Sequence, residues 1–231
     1  MRADWRNQVI GENTDDILDL EKAFELNLEK AQFPTLPVMA THLAVDCSTS
    51  MREEFMSGWV DHMIKCFYVA AMKFDDDKTL EVCGFNEHLL TFPSITEFPK
   101  DLYTSEVGMR PNGGTCFAPV VKQFVPSPVS FLKGLFSKPT AKKYLGMITD
   151  GDSYDRGDFE QVLAKLEKDK LFIQLIAIGN QLDMDYLRAV SGSYQNIGLI
   201  HFPDPFSVDN NAFFEALCND KFKTWLEIYK D

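Results

Sequence analysis

The chain has 231 residues, 45% of them hydrophobic and 25% charged, which is enough apolar material for the core of one large domain or two small ones. The formal net charge of −12 sets the surface against phosphate backbones and so argues against bulk nucleic-acid binding, while the same field attracts cations. No apolar run reaches the roughly 18 residues of a membrane-spanning helix, and Met1–Glu12 lacks the apolar centre of a secretion signal.

The first 36 residues are mixed in character. Ile17, Leu18, Leu20, Phe24, Leu28 and Ala31 form an apolar stripe between acidic residues, which predicts a helix over 15–31 that Pro34 and Pro37 end. Residues 1–36 are expected to be an extension packed on the outside of a domain formed by 37–231, with no fold of its own. Thr41–Asp46 is a buried strand that stops at the small polar turn Cys47–Met51. Residues 52–74 form one helix: Phe55, Trp59, Met63 and Phe67 step by four beside Met56, Val60, Ile64 and Tyr68, a stripe wide enough to bury nearly the whole element. Leu80–Phe85 is a strand, and Asn86-Glu87 a tight turn into a second strand, His88–Phe92. Residues 93–114, punctuated by glycine and proline, form a long loop. Thr115–Val125 is helical as far as Pro126. Phe131–Phe136 is either a hydrophobic surface patch or core. Lys143–Thr149 is a strand, Asp158–Lys168 an amphipathic helix, Leu171–Ile178 a near-continuous apolar strand, Asp183–Val190 a short helix and Ile197–Phe202 a strand. Asn211–Tyr229 is the closing helix.

Strands alternating with helices predict an α/β fold. Apolar strands without alternation predict a mostly parallel sheet covered on both faces. His88–Phe92 is expected to be one antiparallel edge strand. Such sheets place ligand sites at the carboxyl ends of their strands. Three polar clusters fall at or beside such ends: Asp46-Cys-Ser48-Thr-Ser50 after the first strand, Gly113-Gly114-Thr115 where a loop enters a helix, and Thr149-Asp150-Gly151-Asp152 after the fourth strand.

Asp46 and Asp150 offer anionic oxygens, and Ser48, Ser50 and Thr115 offer hydroxyls. An all-oxygen set selects Mg²⁺, Mn²⁺ or Ca²⁺ over zinc or copper. Mg²⁺ takes about six ligands and keeps several waters, so an ion with two protein carboxylates retains attraction for a third from outside. Simpler roles exist for each group. Asp46, Ser48 and Ser50 are good caps for the helix that follows. Gly113-Gly114 is either a flexible turn or a place where backbone approaches the ion. Asp152 is expected to be a solvated turn residue, and Asp75–Asp77 a solvated helix end without the spacing of a calcium loop. His42, His62, His88 and His201 share no metal spacing. The five cysteines (Cys47, Cys66, Cys83, Cys116, Cys218) are scattered, which gives neither a zinc motif nor a disulfide framework and fits a reducing, cytoplasmic setting.

The order Asp46-x-Ser48-x-Ser50, then Thr115, then Asp150 resembles the metal-ion-dependent adhesion site of von Willebrand factor A (vWA) domains, over roughly residues 38–229. Val45–Met51, Phe74–Asp77, Gly113–Pro119 and Met147–Asp152 are similar to the bacterial tellurium-resistance-associated, TerF-type branch, with copine-type vWA domains more distant. Cys47 departs from that branch at a position that is not a ligand. The resemblance implies a Rossmann-like three-layer sandwich holding Mg²⁺ (or Mn²⁺ or Ca²⁺) on Asp46, Ser48, Ser50, Thr115 and Asp150. It implies a protein-binding module without turnover, whose partner offers an Asp or Glu carboxylate, in a bacterial or phage stress or tellurite-resistance-type system. The alternative is a metal-dependent, phosphatase-like α/β hydrolase. Its general acid would be a second Asp two residues after Asp46, where Ser48 stands, and a Cys47 nucleophile would need a neighbouring base, which is not identifiable.

Overall fold

The computed structural model describes residues 14–33, 37–99, 102–125, 142–166 and 169–229. Within them one six-stranded sheet carries β1 (Met39–Asp46), β2 (Leu80–Phe85), β3 (Leu89–Thr91), β4 (Lys142–Thr149), β5 (Leu171–Ile178) and β6 (Ile197–Phe202), in the order β3-β2-β1-β4-β5-β6. Every pairing is parallel except that of β3, which runs antiparallel to β2 at the edge. The order reverses between β1 and β4, which makes their carboxyl ends the switch point of the sheet.

Helices cover both faces, as expected. On one side lie α1 (Thr14–Ala31), α3 (Trp59–Phe74), α8 (Asn210–Leu217) and α9 (Asp220–Ile228), packed on Leu43, Val45, Tyr144, Ile148, Phe172 and Ile176. On the other lie α5 (Ala118–Lys122), α6 (Arg156–Leu166) and α7 (Met184–Ser193), packed on Ala44, Leu145, Met147, Ile173 and Leu175. Successive strand residues point to opposite faces, so a strand between two helical layers is buried at every position and mostly apolar. That is why β5 is buried along its whole length. The result is a three-layer α/β sandwich.

Several elements differ from expectation, each for a local reason. The helix expected over 52–74 is two: α2 (Arg52–Ser57) ends at Gly58, whose φ of 83° places it in the left-handed region and whose N–H closes the turn on Phe55 O at 3.3 Å, and α3 starts afresh. The apolar stripe runs on across the break and hides it. The closing helix is likewise divided, because the Asn219 side chain accepts the Phe222 N–H at 3.0 Å and caps a new helix, α9. The long loop holds a short helix, α4 (Tyr103–Glu106), and a bridge in which Ile95 and Leu80 exchange two backbone hydrogen bonds of 2.9 Å. The helix expected over 115–125 is confined to α5. Phe131–Phe136 falls outside the described residues.

Helix α1 inserts into the core. Phe24 is 0% exposed, with its ring 5.4 Å from Phe74 and 4.9 Å from Phe214, and Leu20 and Leu28 are buried beside it. Phe24→Ala should therefore lower the unfolding free energy by roughly 3–5 kcal/mol, the range for a buried aromatic truncated to alanine, as measured by urea denaturation.

His42, on β1, is held edge-on to Phe124 at 5.1 Å, and its Nε2 has no hydrogen-bond partner among the described residues. Burial, with the nearby Lys143 charge second, pushes its pKa down from 6.5 to about 4. A histidine with a depressed folded value adds stability above its unfolded value and loses it as pH falls toward the folded one. Between pH 6.5 and about 4, the wild type should therefore lose stability more steeply than His42→Gln. The excess is at most about 1.4 kcal/mol per pH unit, the slope of one proton, read from denaturation curves across that window.

Candidate metal centre

The switch point brings the predicted side chains together. Asp46 ends β1 and is 0% exposed. Its Oδ1 accepts the Ser48 N–H at 2.7 Å, and its Oδ2 accepts the Thr149 hydroxyl at 2.6 Å and the Thr115 hydroxyl at 3.3 Å. The Ser48 and Ser50 hydroxyls are 2.9 Å apart, and Ser50 donates to Asp150 Oδ1 at 2.8 Å. Ser48 and Thr115 are buried with Asp46, whereas Ser50 is exposed and Asp150 half-buried. The group is thus a small pit with an anionic floor and a rim open to solvent.

Burial is the largest influence on both carboxyl groups. It pushes Asp46 up to about 6 against the downward pull of the Thr149 and Ser48 hydrogen bonds, and the Asp150 charge pushes the same way as burial. Asp150 is also raised, by burial, with the Ser50 hydroxyl pulling it back. Two carboxylates held in a half-dry pit are an unfavourable pair without a counter-ion.

The donor set fits a hard divalent cation. Adjacent oxygens of an octahedral shell with bonds of ~2.0–2.1 Å lie about 2.9 Å apart. The Ser48–Ser50 and Ser50–Asp150 separations of 2.9 and 2.8 Å have that spacing. Among the described residues no group of three or more His, Cys, Asp or Glu could hold a metal ion, so a thiolate–imidazole site of the zinc type is not offered there.

The loop that delivers Thr115 is tied on every side. Asn112 N donates to Cys47 O at 2.6 Å, and Asn112 O accepts from Asn86 Nδ2 at 3.0 Å. Gly113 O accepts both the N–H and the hydroxyl of Thr49, at 3.0 and 3.1 Å. Gly114 N donates to Glu87 Oε1 at 2.7 Å, Thr115 O accepts from Tyr154 N at 3.0 Å, and Cys116 N donates to Asn86 O at 2.9 Å. The two glycines have a steric reason. Gly113 has φ of 83°, and a β-carbon there would collide with Glu87 Oε2; one at Gly114 would lie 2.5 Å from the Tyr154 ring. They let a carboxylate and a ring close onto the backbone.

Two of these contributors were not singled out from the sequence as site residues. Thr149 looks like an ordinary strand end; the signal is its position directly before Asp150, beside the strand that ends in Asp46. Glu87 looks like a turn residue and has no local signal. Asp152 accepts the Asp183 N–H at 2.6 Å and lies 3.5 Å from Arg156, so it ties α7 to this loop instead of standing free in solvent. Burial, with the Asp46 charge second, pushes the Cys47 thiol up to about 12, which favours the protonated thiol over the nucleophilic thiolate. His62 Nε2 lies 2.7 Å from Asn210 Oδ1 and His201 Nε2 2.8 Å from Gly179 O, both structural contacts.

Solved structures share the fold. A von Willebrand factor type A protein from Catenulispora acidiphila aligns with a TM-score of 0.58 at 16% identity, over 80% of this chain and 43% of that one. The manganese-loaded TRAP protein of Plasmodium vivax aligns with a TM-score of 0.52 at 15% identity, over 71% of this chain and 69% of that one. Proximal thread matrix protein 1 from the mussel byssus, with a zinc-occupied MIDAS motif, aligns with a TM-score of 0.53 at 18% identity, over 81% of this chain and 48% of that one. The chain thus spans less than half the length of the first and the last of these. No curated protein matches the sequence. The sequence itself matches the family described as the vWA found in the TerF C terminus over residues 38–231, and the chain belongs to that TerF-like branch of the vWA domains.

Proposed function

We propose that this domain is a metal-dependent protein-binding module. Asp46, Ser48, Ser50, Thr115 and Asp150 hold one divalent cation, by donor chemistry Mg²⁺ with Mn²⁺ or Ca²⁺ as substitutes. The observation that carries this is the chain of hydroxyl and carboxylate oxygens from Ser48 through Ser50 to Asp150, at 2.9 and 2.8 Å, above the buried Asp46. The manganese-loaded and zinc-occupied relatives support a divalent ion in this fold. When bound, the cation supplies Lewis acidity toward an incoming carboxylate. The chain's own residues do the rest: Asp46 anchors the floor, Thr149 and Ser48 hold Asp46, and the exposed rim at Ser50 and Asp150 leaves a face for an Asp or Glu of another protein. The surface charge of −12 repels such a group unless the ion is present. Membership of the TerF-like branch supports a place in a bacterial or phage stress or tellurite-resistance-type system, in the cytoplasm. Among the described residues no helix is long and apolar enough to cross a membrane.

Adding Mg²⁺ should raise the melting temperature of the wild type by linkage, and Asp46→Ala or Asp150→Asn should abolish that rise. Asp150→Asn keeps an acceptor for Ser50 and removes repulsion from Asp46, so its melting temperature in EDTA should not fall below that of the wild type. Equal calorimetric Mg²⁺ binding by wild type and Asp46→Ala would rule out the site.

Thr149→Val keeps the shape and removes one hydrogen bond to the buried Asp46. It should cost about 1.5–3 kcal/mol in EDTA, the range for a bond to a charged group, by chemical denaturation.

Recognition itself is tested by pull-down from a native bacterial lysate. EDTA should abolish capture, Mg²⁺ should restore it, and Thr115→Ala should weaken it without unfolding the domain. Recovery of the same partners under all three conditions would leave the metal at most structural.

A further inference from the structure

We infer that Glu87, on the β2–β3 turn at the edge of the sheet, is a positioning residue for the metal centre. The inference rests on the metal-binding reading above. Glu87 is exposed, lies outside the oxygen set, and is 28 positions from Thr115 in the chain (115 − 87). Its carboxylate nevertheless accepts the Gly114 N–H at 2.7 Å, on the peptide immediately before Thr115. The contact is built from both sides. A β-carbon at Gly113 would collide with Glu87 Oε2 and one at Gly114 would lie 3.1 Å from Oε1, so the glycine pair leaves the space this carboxylate occupies. Its neighbour Asn86 holds the same segment twice, donating to Asn112 O at 3.0 Å and accepting from Cys116 N at 2.9 Å. The turn thus spans the loop from 112 to 116, with Glu87 at its centre.

The consequence follows from the geometry of a hydroxyl ligand. Thr115 reaches the pit through one rotatable side chain, 3.3 Å from Asp46 Oδ2, and the backbone that carries it contains two residues without a β-carbon. Such a backbone samples many conformations unless it is held. Among the groups that hold it, Glu87 acts on the peptide next to Thr115 by a charge-assisted hydrogen bond, which is the stronger kind. The negative charge of Glu87 also attracts a cation, but a general field does not depend on Thr115, and that difference separates the two roles.

The test uses Mn²⁺ alone as the probe, on the whole chain, by calorimetry, with amide exchange of Gly114 in EDTA as a readout that needs no metal. Glu87→Ala should weaken Mn²⁺ binding by about tenfold and speed exchange of the Gly114 amide. Glu87→Gln keeps an acceptor without the charge and should fall between the wild type and Glu87→Ala in both. On a Thr115→Ala background, Glu87→Ala should add nothing, because the residue it positions is gone. Wild-type affinity in Glu87→Ala overturns the inference. So does a Glu87→Gln variant as weak as Glu87→Ala with effects additive to Thr115→Ala, which is the signature of a field. If the wild type binds Mn²⁺, loses it in Asp150→Asn and keeps it in Glu87→Ala, only the role of Glu87 falls. If the wild type binds no Mn²⁺, the metal reading falls with it.

Discussion

Asp46 is a carboxylate with no exposed surface, and much of the site is arranged around that fact. A buried carboxylate is costly unless its oxygens are satisfied. Here Oδ1 is satisfied from the turn that follows β1, and Oδ2 from the end of β4 and from the loop before α5. Three segments far apart in the chain are therefore tied to one side chain. The sheet makes this possible. Val45 pairs with Ile148, so the next residues along, Asp46 and Thr149, emerge side by side at the switch point. The same carboxylate that would attract a cation also fixes the hydroxyls that would bind it.

The fold was legible because its signals are local and strong. Mostly apolar strands without alternation, helices between them and Asn86-Glu87 as a hairpin turn gave the layers and the antiparallel edge without reference to tertiary contacts. Asp46, Ser48 and Ser50 stood out for the same reason: they share one turn. Asp150 stood out at a strand end. Thr115 stood out through the glycine pair before it, where the loop enters a helix, and the resemblance then joined it to the other four. What stayed hidden depends on neighbours in space. The apolar stripe passes through Gly58 without a mark, although the chain turns there. Asn219 divides the last helix only because its side chain reaches the Phe222 N–H. Thr149 and Glu87 matter through partners 103 and 27 residues away.

Helix α1 shows how an element outside a family pattern can still belong to its core. The matched region begins at residue 38, after α1 has ended. Yet Phe24 lies between Phe74 at the end of α3 and Phe214 in α8, and Lys73 reaches Glu25 at 2.6 Å. Amphipathic helices gain most of their stability from the face they bury. α1 and the domain therefore stabilise each other, and α1 covers apolar surface on α3 and α8 that would otherwise face water. Its packing on α3 is also mechanically connected to the site: α3 is joined through Gly58 and α2 to the turn that carries Ser48 and Ser50.

The loop bearing Thr115 bears on how a partner would be met. Its glycines invite the idea of a flexible segment that rearranges on binding. The hydrogen bonds say otherwise. Main-chain groups of all five residues from Asn112 to Cys116 are engaged by Cys47, Thr49, Asn86, Glu87 and Tyr154. Moving the loop would break several of these bonds together, whereas leaving it in place costs no ordering on binding. On the proposed metal reading, hydroxyls already spaced for an octahedral shell would need no assembly before an ion enters, which is the general advantage of a preorganised site. The recognising surface then includes whatever stands fixed around the rim. Tyr154, 79% exposed with its ring against Gly114, is the large side chain that the loop geometry holds there. An exposed aromatic beside a polar pit is the kind of residue that is enriched where interface energy concentrates.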